Sequence, residues 1–300
     1  MNEFCVHVPA STSNLGPGFD CVGLAVDLWN DTTFSFKPQP FSLTAEGFSD
    51  QQMENPAKNL IWKSFCQFFE ARQETIPDQV QIHSVNRIPV GAGLGASAAA
   101  ILTGLLAADA FLQTQVQPDA ILDIAARMEG HPDNATPELM GGLTATAMDD
   151  NALVYKSFPV AGWQLGFVVP EFRLKTSAAR KALPSKVSLK DAAFNLNRAV
   201  FLMRALQEGD EAGLRFAMQD RLHERFRRAL IPGSEAVVQA GYDAGAAGVC
   251  LSGAGSGIIA FSMTNSAGLT DAMRLAFEKA GCQAEGYNLG ISSKGAWVAY

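Results

Sequence analysis

Residues 89 to 109 read PVGAGLGASAAAILTGLLAAD: three glycines in five positions, then an alanine- and leucine-rich run with no charge before Asp109. Glycine permits positive φ and lets backbone N–H groups approach a ligand with no Cβ in the way. A helix N-terminus leaves its first N–H groups unpaired and carries partial positive charge. Gly91-Ala92-Gly93-Leu94-Gly95 running into Ala96-Ser97-Ala98-Ala99 therefore reads as a cradle for a phosphate chain. Ser97 at the helix start can cap the helix or offer its hydroxyl to phosphate or Mg²⁺. A tight turn entering a core helix is the alternative, because short glycine motifs recur without ligands. The segment is not a Walker A loop, which needs a lysine, and none lies between Lys63 and Lys156. It lacks dinucleotide GxGxxG spacing as well. Only about 13 helical residues precede Asp109, short of the ~20 a membrane span requires.

A chain of 300 residues exceeds one hydrophobic core, so two domains are expected, 1–160 and 161–300. The net charge of −7 disfavours nucleic acid and anionic membrane partners, which call for a basic face. Cys5, Cys21, Cys66, Cys250 and Cys282 are scattered without CxxC spacing and read as thiols in a reducing compartment. The start, MNEFCVHVPAST, has neither the basic flank nor the apolar core of a signal peptide. These features predict a cytoplasmic protein.

Apolar alternation predicts strands at FCVHVPA, TTFSFKP, SLTAEGF and VQIHSV, and helices over 58–72, 97–112 and 118–129. LTATAM and ALVYKSF read as a hairpin around Asp149-Asp150-Asn151. WQLGFVVP begins a second set, followed by helices at about 190–207, 210–225 and 234–244. VCLSGAGSGIIAF, a helix near 267–280 and a final strand GAWVAY complete it. Both halves are α+β patterns.

Four further blocks bring polar chemistry together. VPASTSNLGPGFDCVGLAVDL sets Asn14 and Asp20 on either side of a Gly-Pro-Gly turn, where an amide and a carboxylate could bind a hydroxyl and an ammonium. All these residues are also turn formers. MEGHPDNATPELMGG, 128–142, crowds Glu129, His131, Asp133 and Asn134 between a helix end and a helix start. In LKTSAARKALP, Thr176 and Arg180 lie four apart and would share a helix face. Arg225, Arg227 and Arg228 form a cationic run in RLHERFRRALIPG, as a solvated basic face also would.

The glycine phrase, the Asn14–Asp20 phrase, EGHPDN followed by Gly-Gly, and LSGAGSGIIAF (251–261) together resemble the homoserine kinases of the GHMP kinase superfamily. FNLNRA at 194–199 resembles them too. The departures are Ala96 for a serine, and Arg225 and Ser256 for prolines. The resemblance implies a two-domain fold: an N-terminal domain with a left-handed βαβ unit and a ferredoxin-like C-terminal domain. It implies ATP and Mg²⁺, L-homoserine as acceptor, a step in threonine biosynthesis and a homodimer.

It assigns ATP to Pro89, Val90, Gly91, Ala92, Gly93, Leu94, Gly95, Ala96, Ser97, Ala98 and Ala99, with Gly253 and Gly255 from the second glycine loop. It assigns the metal to Ser97 and Glu129, with Asp123 as an alternative to Glu129. Asn14 and Asn134 are the catalytic candidates, Asn14 beside the substrate hydroxyl. Asp20 holds the amino group, Arg180 and Arg227 the carboxylate, and His131 and Thr176 also belong to the substrate site. The choice among Arg225, Arg227 and Arg228 stays open. So do two other functions: a mevalonate-type kinase of another small alcohol, and a non-catalytic small-molecule-binding member.

Overall fold

In a computed structural model, which describes residues 3–48, 55–149 and 152–300, the first sheet is built on a long antiparallel pair, β1 (Glu3–Ser13) and β2 (Val22–Ser35). β4 (Gln81–Asn86) pairs antiparallel with β2, and β3 (Ser42–Gly47) lies parallel to β4 across the helix α1 (Leu60–Ala71). β5 (Leu143–Met148) joins β2 and pairs with β6 (Leu153–Phe158). This is the expected hairpin, although Asp150 and Asn151 of its turn lie outside the described residues. β11 (Trp297–Ala299) returns from the far end of the chain to pair with β1.

The apolar run after the glycines forms α2 (Ala96–Leu112), buried along most of its length. It packs on α1 at Gly104, where a Cβ would lie 2.8 Å from the main-chain nitrogen of Phe65. Glycine there lets two helix backbones meet. Phe34, Phe65, Phe68 and Phe69 are wholly buried around this contact, each contributing ~2–3 kcal/mol of transfer free energy. α3 (Pro118–Glu129) follows, with proline in its first turn and Gly130 closing it at φ 87°. α4 (Ala135–Met140) leads into β5.

The second sheet has the order β10-β7-β9-β8, all antiparallel, from β7 (Gln164–Pro170), β8 (Gly248–Leu251), β9 (Ile258–Ser262) and β10 (Ala284–Leu289). The β7–β8 connection holds α5 (Thr176–Lys181), α6 (Leu189–Glu208), α7 (Glu211–Ala217), α8 (Glu224–Arg228) and α9 (Ser234–Asp243). α10 (Ala267–Lys279) joins β9 to β10. Strand–helix–strand–strand–helix–strand in this order is the ferredoxin-like arrangement, and the α+β expectation holds.

Two expectations change. The helix expected over 210–225 breaks after Ala217 and restarts at Glu224, because the Asp220 carboxylate accepts the main-chain N–H groups of Leu222, His223 and Glu224. A side chain that bonds nearby backbone in this way caps a new helix and interrupts the old one. β10 was not foreseen, since Gly286 and a half-exposed face weaken its alternation.

Candidate active site

The three glycines of the turn all adopt positive φ, at 74°, 88° and 73° for Gly91, Gly93 and Gly95. The run alternates. Gly91, Gly93 and Gly95 line a cleft with Val90, Ala96 and Ser97, whereas Ala92, Leu94, Ala98 and Ala99 are buried in the core behind them. Pro89 is buried as well. None of these last five, assigned to ATP on the resemblance, lines the cleft; they brace the turn from behind.

The second glycine loop locks onto the first. Ser252 Oγ donates to Gly93 O at 2.8 Å, and Gly257 N donates to Ala92 O at 3.1 Å. A Cβ on Gly93 would collide with the Ser252 carbonyl. Gly253 and Gly255 also line the cleft, while Ser256 is buried with its hydroxyl on Phe172 O. Two loops from different sheets thus converge with bare main chain on one cavity, the geometry suited to a phosphate chain.

Across the cleft, Asn14 and Asp20 bracket a loop in which Asn14, Leu15 and Asp20 all have positive φ. Such a concentration of left-handed residues other than glycine is uncommon. The Asn14 amide holds it: Nδ2 donates to Gly253 O at 2.8 Å and Oδ1 accepts from Asp20 N at 2.9 Å. α5 presents both Thr176 and Arg180 to the cavity. Arg180 binds Asp20 through both guanidinium nitrogens, at 3.0 and 2.9 Å.

Among the three arginines of α8, Arg227 lines the cavity. Arg225 is exposed over the ring of Phe226, and Arg228 faces Glu224 and Glu235. Arg227 is 1% exposed and, among the described residues, makes no ion pair. Its Nη1 reaches Gly253 O and the His223 ring, both at 3.3 Å, and its Nε has no partner. Burial, followed by the neighbouring Arg180, depresses its pKa.

The 128–142 block forms the third wall. Ser97 Oγ donates to the Glu129 carboxylate at 2.6 and 2.5 Å, joining the start of α2 to the end of α3. Asp123 lies earlier on α3, paired with Arg127 at 2.8 Å and off the cleft. His131 and Asp133 make a 2.7 Å pair. Burial alone would neutralise both, but their mutual bond and charge prevail, raising the pKa of His131 and lowering that of Asp133. Asn134 is bonded to β1 on both sides, donating to Ser11 Oγ at 3.0 Å and accepting from Ser13 Oγ at 3.3 Å. Ser11 in turn donates to Glu138 at 2.6 Å.

Beyond the glycines the cleft continues into a recess that the motifs did not indicate. Leu43, Phe48, Leu60, Ile61 and Ile82 give it apolar walls, and Asn30, Thr32, Ser84 and Asn86 are among its polar groups, beside Thr44, Lys58 and Asn59. A signal was present in the strands. Period-two alternation puts Asn30, Thr32 and Phe34 on one face of β2, and Ile82, Ser84 and Asn86 on one face of β4. Polar residues on a core-facing side are costly unless bonded, and here Thr32 bonds Ser84 at 3.1 Å while Asn30 Oδ1 accepts from the main-chain nitrogens of Arg87 and Ile88 at 2.7 and 3.0 Å.

Residues 59–142 match the GHMP kinases N terminal domain and residues 202–284 the GHMP kinases C terminal domain. The homoserine kinase of Halothermothrix orenii is 39% identical over 297 residues, covering 97% of this chain and 95% of its own. That of a Synechococcus strain is 36% identical, covering 98% and 97%. The crystal structure of homoserine kinase from Cytophaga hutchinsonii superposes with a TM-score of 0.89 at 26% identity, covering 99% of this chain and 98% of that one.

Proposed function

The chain belongs to the homoserine kinases of the GHMP kinase family, and we propose that it moves the γ-phosphoryl group of ATP to the side-chain hydroxyl of L-homoserine, a step of threonine biosynthesis. The mevalonate-type and non-catalytic readings give way, because relatives at this identity and coverage are homoserine kinases. The observation that carries the substrate assignment is Arg227, a buried guanidinium without a carboxylate among the described residues, aimed into the cavity. A buried charge is costly unless paired, and a planar guanidinium suits a carboxylate.

Phosphoryl transfer is catalysed largely by positioning and charge stabilisation, and each wall of the cleft has a part. The two glycine loops hold the triphosphate by main-chain N–H groups, and the recess takes the nucleoside. Asn14 and Asn134 orient the acceptor hydroxyl. Asp20 takes the ammonium, and Arg180 and Arg227 the carboxylate, with Thr176 and His131 beside them. An α-amino acid carries both complementary charges, so it can replace the single Asp20–Arg180 pair with two pairs of its own. An alcohol lacking the ammonium would leave Asp20 unmatched.

Mg²⁺ is usually held by one or two carboxylates together with substrate phosphates. The Ser97 hydroxyl and Glu129 carboxylate, bonded together at the mouth of the cradle, fit that donor set better than Asp123, which Arg127 occupies. Bound there, the ion would neutralise charge on the phosphates.

The same proposal divides the chain near residue 160 into an ATP-binding domain and a ferredoxin-like domain. Its cytoplasmic location is supported by five free cysteines, and no helix among the described residues is long and apolar enough to cross a membrane. The homodimer is supported by α6, where Leu189, Leu196 and Val200 are 86%, 72% and 66% exposed along one face. Sedimentation of the wild type and Leu196→Glu would test it, a monomeric wild type ending the idea. The activity is tested by following ATP consumption with L-homoserine, its amide and mevalonate. Turnover with homoserine, and a raised KM for the amide, is the expected result. Equal use of mevalonate would overturn the assignment.

A further inference from the structure

The FNLNRA segment feeds a buried chain of hydrogen bonds that ends at Arg227. Asn195 Nδ2 donates to Asp220 Oδ1 at 2.6 Å, and Asn195 Oδ1 accepts from Arg221 N at 2.9 Å. Asp220 Oδ2 accepts from the main-chain nitrogens of His223 and Glu224, at 2.8 and 2.7 Å, which sets the start of α8. His223 is wholly buried. Its Nε2 lies 2.7 Å from Gly16 O and its Nδ1 3.3 Å from Arg227 Nη1. A carbonyl oxygen only accepts and a guanidinium only donates, so the ring is a neutral imidazole with its proton on Nε2. Phe19 stacks on the same ring at 5.0 Å, and Arg227 lies over the Phe19 ring at 5.1 Å.

We propose that His223 is a positioning residue for homoserine recognition. Its Nε2–H ties down the Asn14–Asp20 loop through Gly16, while its Nδ1 aims the guanidinium of Arg227 into the cleft. The ring itself does not line the cavity, so it acts through its neighbours. This inference rests on the reading of Arg227 as a carboxylate-binding group. The charged groups facing the ring are Asp220, 3.8 Å from Nε2, Arg227 on the next turn of α8, and Asp20 on the loop opposite. Burial holds the imidazole below the ordinary histidine range, helped by Arg227 and opposed by Asp220 and Asp20. A proton added at Nδ1 would oppose one N–H to another and push Arg227 from its place.

Asparagine and glutamine separate the two ring nitrogens. His223→Asn keeps an acceptor where Nδ1 stands, and His223→Gln keeps a donor where Nε2 stands. The glutamine variant should raise KM for homoserine by about tenfold, the loss of one hydrogen bond to a charged group. The asparagine variant frees Gly16 and loosens the substrate loop, so it should raise KM for homoserine too, but by a smaller factor, because the Asn14 amide still ties that loop to Gly253 O and Asp20 N. KM for ATP should hold in both. With four histidines in the chain, ¹⁵N NMR of the wild type reads the tautomer directly, independently of whether a variant folds. A proton found on Nδ1, or equal effects of the two variants on homoserine KM, would overturn the role of His223. Arg227→Lys is the control. If it leaves homoserine KM unchanged, the carboxylate assignment of Arg227 fails, whatever His223 does.

Discussion

The carboxylate of Asp20 and the guanidinium of Arg180 form a two-point ion pair across 160 residues of sequence, each about one-third exposed at the mouth of the cleft. Partly exposed pairs contribute little to stability, and this one joins the two groups assigned to opposite ends of the substrate. Arg180→Ala should therefore raise KM for homoserine, about tenfold or more for a charged contact, while sparing ATP affinity and the melting temperature. Initial-rate kinetics and a thermal melt check this. An unchanged homoserine KM would remove Arg180 from the pocket.

Asn14 bonds the second glycine loop with one end of its amide and the substrate loop with the other. Its substitution should misplace the reacting groups more than it weakens binding. Asn14→Ala is expected to lower kcat more than it raises KM for homoserine. The reverse pattern would make Asn14 a binding group only.

The glycines of the cradle are not equivalent. A Cβ on Gly91 meets nothing within 4 Å, so Gly91→Ala bears only the left-handed penalty of ~1–2 kcal/mol. On Gly93 the same atom strikes the main chain of Ser252, and the two loops would have to part. Gly93→Ala should lose clearly more stability in denaturant titrations and raise KM for ATP. Equal effects of the two substitutions would contradict the locked-loop geometry.

Glu224 is almost fully buried and receives the Leu251 amide at 2.8 Å. Burial pushes its carboxyl up to about 7, against the attraction of Arg228. Between the unfolded value near 4.5 and about 7 the folded state holds the extra proton. Stability should therefore decline as pH rises through that window, by ~3 kcal/mol. Glu138 behaves alike: wholly buried beneath Gly95, it is driven well above its ordinary value by burial and by Glu129 and Asp133. Glutamine at either position, measured by urea titration from pH 5 to 8, should flatten the decline. An unaltered slope in both variants would show that these carboxyls are not the source.

The cleft was legible where chemistry is concentrated in short phrases. The glycine turn, the Asn14–Asp20 loop and the EGHPDN block are each contiguous, and the fold brings them to one cavity. The recess beside β2 and β4 was not legible, because Asn30, Thr32, Ser84 and Asn86 are spread over two strands and share a wall only through strand pairing. The bond between Ser97 and Glu129, and the seating of Arg227 but not Arg225 or Arg228, depend on how α2 meets α3 and how α8 is rotated. Residue spacing says little about such rotations. The break at Asp220 was missed for the opposite reason: a single side chain overruled a regular helical pattern.

β11 makes the two sheets inseparable in practice. His7 pairs with Trp297 and Cys5 with Ala299, so a fragment ending near residue 160 would leave one margin of β1 bare, an invitation to self-association. Dissecting this kinase into its halves would therefore call for grafting Trp297–Ala299 back onto the first half, and any appendage fused beyond Ala299 would sit beside that seam.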